Sequence, residues 1–299
     1  MDCNQNALVT TIKEHCRMCY TCVRECPAKA IQVLDSQASV VSCRCIGCGN
    51  CIRVCSQKAK TVESSLPQVQ ALLQSDIPVA AIVAPSFPAE FSDIPPEQFV
   101  GMIKAAGFSH VFEVSFGADM VAREYLRVLE DNPDRRYIAT TCPAIVSYVQ
   151  KYHPDLVDDL MPVVSPMVAT ARVARQIIDT PCKVVFIGPC IAKKDEARQD
   201  EIEDDVDEVL TFPELRHLFE QPEMENKEVE SLLFDEPRGA MGGLFPIARG
   251  FLQTANLKED LLTSEIVAAD GNPEFIAAIE EFRKPDTGLR LLELLSCNG

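Results

Sequence analysis

The stretch from Cys16 to Pro27 reads CRMCYTCVRECP, and the stretch from Cys45 to Ser56 reads CIGCGNCIRVCS. In each stretch three cysteines stand three residues apart, and a fourth follows four residues after the third. All four positions of the first run recur 29 residues later, so the two stretches form an internal repeat. Because chance does not produce such a repeat, the spacing indicates a set of metal ligands rather than scattered thiols.

The run of three cysteines plus a fourth is typical of 4Fe-4S clusters, in which each iron takes one thiolate. Three closely spaced cysteines hold three corners of a cube, and the fourth ligand comes from the opposite half of the repeat. We therefore assign two clusters, one to Cys16, Cys19, Cys22 and Cys55, and one to Cys45, Cys48, Cys51 and Cys26. Zinc is the alternative, but four-cysteine zinc sites usually pair two Cys-x2-Cys knuckles. Over residues 8–62 the pattern resembles a bacterial two-cluster ferredoxin, with Ser56 where the second motif usually carries proline.

The composition of the 299-residue chain favours a cytoplasmic protein with reduced thiols. Its 14 cysteines are concentrated in the N-terminal repeat, which argues against a disulfide scaffold stapled throughout. The longest run of apolar residues, Val79–Ala84, is far shorter than the ~20 residues of a membrane span. The first residues do not resemble a signal peptide. Cys43 lies out of register with the repeat, and we expect it to be a small buried thiol.

The net charge of −17 is divided unevenly along the chain. Residues 1–60 contain eight Lys or Arg against four acidic residues, a charge of +4, so residues 61–299 carry −21. Two different modules are therefore joined, and we place the domains at 1–65 and 66–299. A body this acidic argues against nucleic acid or an anionic membrane as a partner, because both would repel it.

Residues 66–299 alternate between buried strands and amphipathic helices, which predicts an α/β body. Cys142 follows the predicted strand 137–141, and Cys190 follows the predicted strand 183–187. Ligands of open α/β sheets bind at the carboxyl ends of strands, so both thiols could face one cavity. On position alone, however, each is more simply explained as a buried structural cysteine.

Several motifs in this body resemble the ordered motif series of the FeFe-hydrogenase family. The main ones are Thr140-Thr141-Cys142-Pro143-Ala144, then Ser165-Pro166, then GPCIAKKDE over 188–196. Further agreement comes from Ala84-Pro85-Ser86, Phe116-Gly117-Ala118-Asp119 and Leu295-Ser296-Cys297-Asn298-Gly299. The resemblance covers nearly the whole chain. It implies a small α+β two-cluster ferredoxin domain followed by a larger, two-lobed α/β hydrogenase-like domain.

The resemblance also implies a six-iron site, in which a 4Fe-4S cube is bridged to a diiron unit bearing carbonyl and cyanide. Cys142, Cys190 and Cys297 match three of its four cysteine ligands. Lys193 matches a lysine that hydrogen-bonds one cyanide, and Pro85 and Ser86 match the groups lining the other. The fourth ligand is expected immediately beyond Gly299, so either the sequence is a fragment of a longer polypeptide or the active-site cluster is absent. Lys194 is predicted to be a surface charge.

Two departures from the family bear on activity. Thr141 stands where standard hydrogenases carry a cysteine that passes protons, and Gly188 stands where a methionine commonly covers the diiron unit. Together with the Cys-Asn-Gly ending, these changes resemble the sensory, PAS-linked branch. The resemblance therefore implies reversible H2 oxidation and proton reduction, or H2 sensing, at low turnover. It also implies a redox partner or a C-terminal signalling module of PAS, kinase or phosphatase type.

Two alternatives remain open at this point. One is a hydrogenase-like iron-sulfur scaffold or assembly protein without a diiron unit. The other is a plain ferredoxin-type electron-transfer protein with a structural α/β body. The identity of a catalytic residue is not indicated by the sequence.

Overall fold

The computed structural model describes residues 7–224, 227–257, 265–284 and 287–297. Residues 7–62 fold as two similar halves, as the cysteine repeat predicts. The first half contains β1 (Val9–Thr11), α1 (Thr21–Arg24) and β2 (Ile31–Leu34), and the second contains β3 (Gln37–Val40), α2 (Asn50–Arg53) and β4 (Lys60–Val62). β1 pairs antiparallel with β4, and β2 pairs antiparallel with β3. Each of these two pairs therefore joins one strand from each half, which brings the two cysteine runs together.

The two short helices of this domain begin at the same point of the repeat. The residue before α1 is Tyr20, with φ of 59°, and the residue before α2 is Gly49, with φ of 74°. Both have a left-handed backbone, which glycine adopts freely and other residues adopt at a cost. Tyr20 takes this conformation at the turn between Cys19 and α1.

The larger domain begins with a helix and contains two parallel sheets. Its helices are α3 (Leu66–Leu73), α4 (Phe87–Glu90), α5 (Pro96–Ala106), α6 (Val114–Asp131), α7 (Pro143–Tyr152), α8 (Pro166–Ile177), α9 (Ala192–Ala197), α10 (Phe212–Phe219), α11 (Gly250–Thr254) and α12 (Glu274–Phe282). Its strands are β5 (Val79–Val83), β6 (His110–Glu113), β7 (Tyr137–Ile138), β8 (Lys183–Gly188), β9 (Glu208–Thr211), β10 (Ile266–Asp270) and β11 (Leu291–Leu295). None of the helices in the described part of the chain is both long and apolar enough to cross a membrane.

The first sheet has the strand order β6-β5-β8-β9, with every neighbouring pair parallel. All five residues of β5 are buried, as expected of a central strand covered on both faces. α8 contacts β5, β6 and β8, and α10 contacts β8 and β9. Gly107 ends α5 with φ of 119°, as the sequence predicts.

The second sheet has the order β10-β11-β7, again parallel. The two sheets form the two lobes of the body, so the predicted two-lobed α/β architecture is confirmed. The strand expected over 137–141 is shorter, because β7 ends at Ile138. The amide of Thr140 instead donates to the hydroxyl of Tyr125 at 2.8 Å, which turns the chain toward Cys142.

Candidate metal centres

The eight cysteines of the N-terminal repeat line two separate cavities. Cys16, Cys19, Cys22 and Cys55 line one, and Cys26, Cys45, Cys48 and Cys51 line the other. This is the division that the spacing predicts, with one member of each set drawn from the opposite half of the repeat. In the described residues no group of three His, Cys, Asp or Glu is drawn together around a single ion. Two sets of four thiols suit two cubes, because the four thiolates of a cube bind four different irons.

The first of these sites, at Cys16, Cys19, Cys22 and Cys55, reaches the protein surface. Cys19 is exposed. Hydrogen bonds from the hydroxyl and amide of Thr21 lower the pKa of the Cys19 thiol. The amides of Ala38 and Met18 lower the pKa of Cys16 in the same way. Backbone and hydroxyl donors are therefore already aimed at sulfur, and they favour the thiolate form that binds iron.

The second site, at Cys26, Cys45, Cys48 and Cys51, is enclosed. Burial raises the pKa of the Cys48 thiol to about 11 and that of Cys51 to about 12. These two thiols and Cys45 belong to the same apolar cluster as Cys142 and Cys190 of the larger domain. The second site therefore packs against the larger domain.

A buried lysine that the sequence analysis did not single out lies beside both sites. Lys60 is only 6% exposed. Its ammonium donates to Thr11 Oγ1 at 2.6 Å and to the carbonyl of Ala38 at 3.1 Å. Its charge acts to lower the pKa of Cys16 and Cys22 at the first site and of Cys51 at the second. A fixed positive charge there offsets the negative charge of sulfur ligands at both sites.

The second site is fixed to the body by hydrogen bonds to backbone carbonyls. The hydroxyl of Tyr152 lies 2.7 Å from the carbonyl oxygen of Ala28 and 2.8 Å from that of Arg44, and its one proton is shared between them. Lys151 donates to the carbonyl of Cys45. Gly47 has φ of 70° and approaches Ala192 so closely that a Cβ at this position would stand 3.2 Å from it. The cysteine loop therefore lies directly on the start of α9, which the sequence could not show.

The body contains a cavity of about 500 Å³ between its two lobes. Cys142, Cys190 and Cys297 all line it. Each thiol stands shortly after the carboxyl end of a strand. Cys142 lies between β7 and α7, Cys190 follows β8, and Cys297 follows β11. Burial raises the pKa of Cys190 to about 12, and the neighbouring thiols of Cys142 and Cys297 add to that rise. The structure thus brings together the three thiols that the sequence placed far apart.

The other predicted cofactor-contacting residues line the same cavity. Pro85, Ser86 and Lys193 are all in its wall. The Ser86 hydroxyl is buried and has no hydrogen-bond partner in the part of the chain that the structure describes. Lys193 Nζ donates to Ser165 Oγ at 2.9 Å and lies 2.6 Å from Glu196 Oε2. Soft thiols, an unsatisfied hydroxyl and a buried ammonium fit an anionic iron-sulfur group with polar ligands.

Packing in the cavity wall accounts for one departure from the family motifs. A Cβ on Gly188 would stand 2.6 Å from the ring of Phe186. Because Phe186 itself lines the cavity, its ring covers the space that a side chain at 188 would need. Thr141 and Met167 also line the cavity. So does Glu293, a buried acid on β11 that the sequence analysis did not identify.

Two predictions about individual side chains are wrong. Lys194 is not a surface charge: its side chain is 1% exposed and pairs with Glu214 at 2.9 Å. The two lysines of α9 point in different directions, Lys193 to the cavity and Lys194 to the linker between domains. Cys43 is exposed and disulfide-bonded rather than a buried thiol.

The two four-cysteine sites and the cysteine-lined cavity together define a class of iron-sulfur protein. In this class a ferredoxin-like domain with two cluster sites packs against an α/β body. Comparison with known proteins agrees. Residues 77–299 match the family model described as iron only hydrogenase large subunit, C-terminal domain, and residues 8–56 match that of a 4Fe-4S dicluster domain. Since the first match covers most of the chain, the protein belongs to the iron-only hydrogenase large-subunit family.

The relatives of the chain include a hydrogenase and an iron-sulfur cluster assembly factor. The chain is 27% identical over 171 residues to iron hydrogenase 1 of Clostridium pasteurianum, a match covering 51% of this chain and 30% of that protein. It is 29% identical over 140 residues to the cytosolic Fe-S cluster assembly factor NAR1 of Yarrowia lipolytica, covering 41% and 28%. The matches therefore span less than a third of either relative.

The fold is shared with solved hydrogenase structures. The E144A variant of [FeFe]-hydrogenase HydA1 from Chlamydomonas reinhardtii superimposes with a TM-score of 0.64 at 18% identity. That superposition covers 79% of this chain and 82% of the algal one. At this identity the likeness establishes the architecture, and the chemistry must be argued from the residues.

Proposed function

We propose that this protein is an iron-sulfur redox protein that holds a six-iron cofactor in the body cavity and two 4Fe-4S clusters in the N-terminal domain. The observation that carries the proposal is the convergence of Cys142, Cys190 and Cys297 on one cavity that also contains Ser86 and Lys193. A plain electron-transfer protein would not need a buried hydroxyl and an ammonium in the wall of a cavity lined by three thiols.

The residues of the cavity have distinct roles in this proposal. The three cysteines hold three corners of a cube, and no fourth cysteine lines the cavity among the described residues. Lys193 and the Ser86 hydroxyl donate hydrogen bonds to the polar ligands of the diiron unit. The apolar wall, including Met167 and Phe186, excludes water from the reacting centre. When bound, the cofactor supplies reversible conversion between H2 and protons plus electrons.

The residue at 141 favours slow turnover and hence H2 sensing over rapid catalysis. A threonine hydroxyl does not ionise readily, so Thr141 cannot pass protons as a thiol would. We therefore place the protein in the sensory, PAS-linked branch of the family. In that role it is a low-turnover oxidoreductase of the cytoplasm that passes its signal to a redox partner or a signalling module.

A second candidate is an iron-sulfur assembly factor that holds cubes but no diiron unit. It is favoured by the similarity to the NAR1 protein of Yarrowia lipolytica and by the absence of an ionisable group at Thr141. The cavity would then hold a single cube, and Ser86 and Lys193 would donate to its sulfides.

Infrared spectroscopy of the full chain, produced together with diiron-cluster maturation enzymes, separates the two candidates. Bands of iron-bound carbonyl and cyanide support the hydrogenase-type function. Cube signals in Mössbauer and electron paramagnetic resonance (EPR) spectra without such bands support the assembly function. The absence of any cube from the N-terminal domain would contradict both.

A further inference from the structure

The two cysteine loops of the N-terminal domain differ in the residues that flank their second cysteine. In the first loop Cys19 is exposed, and its neighbours Met18 and Tyr20 are 39% and 48% exposed. Both neighbours line the first site. The positions 29 residues later are Gly47 and Gly49. Two large apolar side chains in one half of the repeat therefore correspond to two glycines in the other.

Packing, and not backbone conformation, explains this difference. The four residues have φ values of 51°, 59°, 70° and 74° in chain order, so all four are left-handed. Because methionine and tyrosine adopt this backbone in the first loop, the conformation alone does not require glycine. In the second loop a Cβ on Gly47 would stand 3.2 Å from Ala192, and a Cβ on Gly49 would stand 3.3 Å from Ile191. The glycines therefore let the second loop pack closely against the start of α9.

The internal repeat thus presents the same loop surface twice, once against the body and once to solvent. We call the solvent-facing copy the first-site face, formed by Arg17, Met18, Cys19, Tyr20 and Arg24. Methionine, tyrosine and arginine are enriched at protein–protein interfaces relative to the rest of a protein surface. The first-site face therefore has the composition of a docking surface, and it lies directly over a cluster ligand.

The first-site face is positively charged. The guanidinium of Arg24 donates to the carbonyl of Cys19 at 3.3 Å, and Arg17 lines the first site. Within residues 7–62 seven cations are exposed against three acids. The cations are Lys13, Arg17, Arg24, Lys29, Arg44, Arg53 and Lys58, and the acids are Glu14, Glu25 and Asp35. An acidic protein would be attracted to this domain and repelled by the strongly acidic remainder of the chain, which would direct it to the first site.

We propose that the first-site face binds an acidic electron-carrier protein, which exchanges electrons with the cluster held by Cys16, Cys19, Cys22 and Cys55. In each exchange the reduced carrier loses one electron and the cluster gains it, and no bond is made or broken. Met18 and Tyr20 form the apolar centre of the contact, and the arginines hold the acidic rim of the carrier. The inference rests on the two-cluster part of the proposed function and specifies its redox partner.

Three variants separate the charge of the face, its apolar centre and the net charge of the chain. Arg24→Glu reverses one charge beside Cys19. Tyr20→Asn removes the exposed ring but keeps the left-handed backbone, which asparagine tolerates. Arg44→Glu makes the same change in net charge as Arg24→Glu, but on the second loop, where the Arg44 carbonyl contacts Tyr152 of α7.

The test is anaerobic isothermal titration calorimetry of the full, cluster-loaded chain with an oxidised, acidic 2Fe-2S ferredoxin of plant type as the probe. We expect Arg24→Glu to weaken binding about tenfold at low ionic strength, and the difference from the unaltered chain to shrink in high salt. Tyr20→Asn should also weaken binding about tenfold, because an aromatic anchor is lost, and this loss should persist in high salt. Arg44→Glu should bind as the unaltered chain does. Reduction of the clusters by the reduced ferredoxin, followed by stopped-flow absorbance, should slow in the same two variants.

The possible failures are distinguishable from one another. If the ferredoxin does not bind the unaltered chain, or if Arg24→Glu and Arg44→Glu weaken binding equally, the inference is overturned while the two clusters stand. It is also overturned if analytical ultracentrifugation shows a dimer that Arg24→Glu dissociates, because the face would then hold a second copy of the chain. If iron analysis and EPR after dithionite reduction show no 4Fe-4S clusters, the proposed function fails first. Equal iron content and melting temperature in all variants show that weaker binding does not reflect misfolding.

Discussion

Lys194 Nζ lies 2.9 Å from Ser65 Oγ, a contact between α9 of the body and the segment that joins the two domains. Glu214 completes this arrangement: its carboxylate accepts from Lys194 at 2.9 Å and from the amide of Ser65 at 2.7 Å. Burial opposes ionisation of Glu214, but hydrogen bonds from Thr211 and Lys194 outweigh it and hold the pKa below its usual range. The linker is therefore tied to α9, the helix that also carries the cavity residue Lys193.

Replacing Lys194 by methionine should destabilise the protein by about 3 kcal/mol, because Glu214 would keep a buried charge without its partner. The free energy of unfolding of the cluster-loaded chain, measured in denaturant, checks this. Arg127→Met is the control: Arg127 pairs with Glu124 on the surface, where its side chain is 63% exposed, and should cost less than about 1 kcal/mol. Equal losses in the two variants would contradict the role assigned to Lys194.

Lys193→Ala should weaken retention of a diiron unit more than retention of the cubes. Lys193 lines the cavity, but none of the eight cysteines of the N-terminal domain lies in that cavity wall. Infrared bands of carbonyl and cyanide, normalised to iron content, measure the first quantity, and EPR of the reduced clusters measures the second. Equal loss of both signals would count against a direct contact between Lys193 and the cofactor.

Lys60→Met should lower the reduction potentials of both N-terminal clusters, because a buried cation stabilises the more negative reduced state. We expect a change of about tenfold or more in each reduction equilibrium. Lys58→Met, at an exposed position two residues away, should leave both potentials nearly unchanged. If Lys60→Met shifted the reduction potential of only one cluster, the ammonium would act on a single site and this prediction would be wrong.

Gly242 and Gly243 should respond differently to substitution by alanine. A Cβ on Gly242 would stand 2.0 Å from the carbonyl oxygen of Ser115, whereas a Cβ on Gly243 would meet no atom within 4 Å. Asp119 also holds this segment, since its carboxylate accepts from the amides of Ala240 and Gly242 at 2.7 Å. Gly242→Ala should therefore cost about 1–3 kcal/mol, while Gly243→Ala should be neutral or slightly stabilising. Thermal unfolding of the two variants side by side is the measurement, and similar melting temperatures would rule out the close packing described.

The cysteines should differ in how their alkylation depends on pH once iron is removed by a chelator. The pKa of Cys19 is lowered by hydrogen bonds from Thr21, so its rate should level off at a lower pH than that of an ordinary thiol. The pKa of Cys190 is raised to about 12, so its rate should still increase at pH 10 as more thiolate forms. Mass spectrometry after timed iodoacetamide treatment reports each thiol. A Cys190 profile that levels off near pH 8 would refute the burial of that thiol.

The segment Gly239–Gly243 illustrates how the sequence misleads when packing decides. The glycines predict a flexible turn, but Gly239 and Gly242 are needed for close approach to α6. Similarly, the acidic segment 195–208 predicts a solvated face, yet Glu196 is buried beside Lys193, and Asp207 bonds Arg175 and Lys183. Charge composition cannot reveal such pairing, because the partners of Asp207 lie 24 and 32 residues away.

The sequence by itself determined the two sets of four cysteines, because a cube requires three closely spaced thiolates and a fourth from the opposite half of a repeat. It also determined the α/β body, because alternating buried strands and amphipathic helices leave few other ways to bury apolar surface. Only the tertiary structure decided that Lys60 and Lys194 are buried among polar partners. Each owes its environment to residues far away along the chain, as Lys194 does to Ser65 at a separation of 129 residues, and no local pattern encodes such contacts.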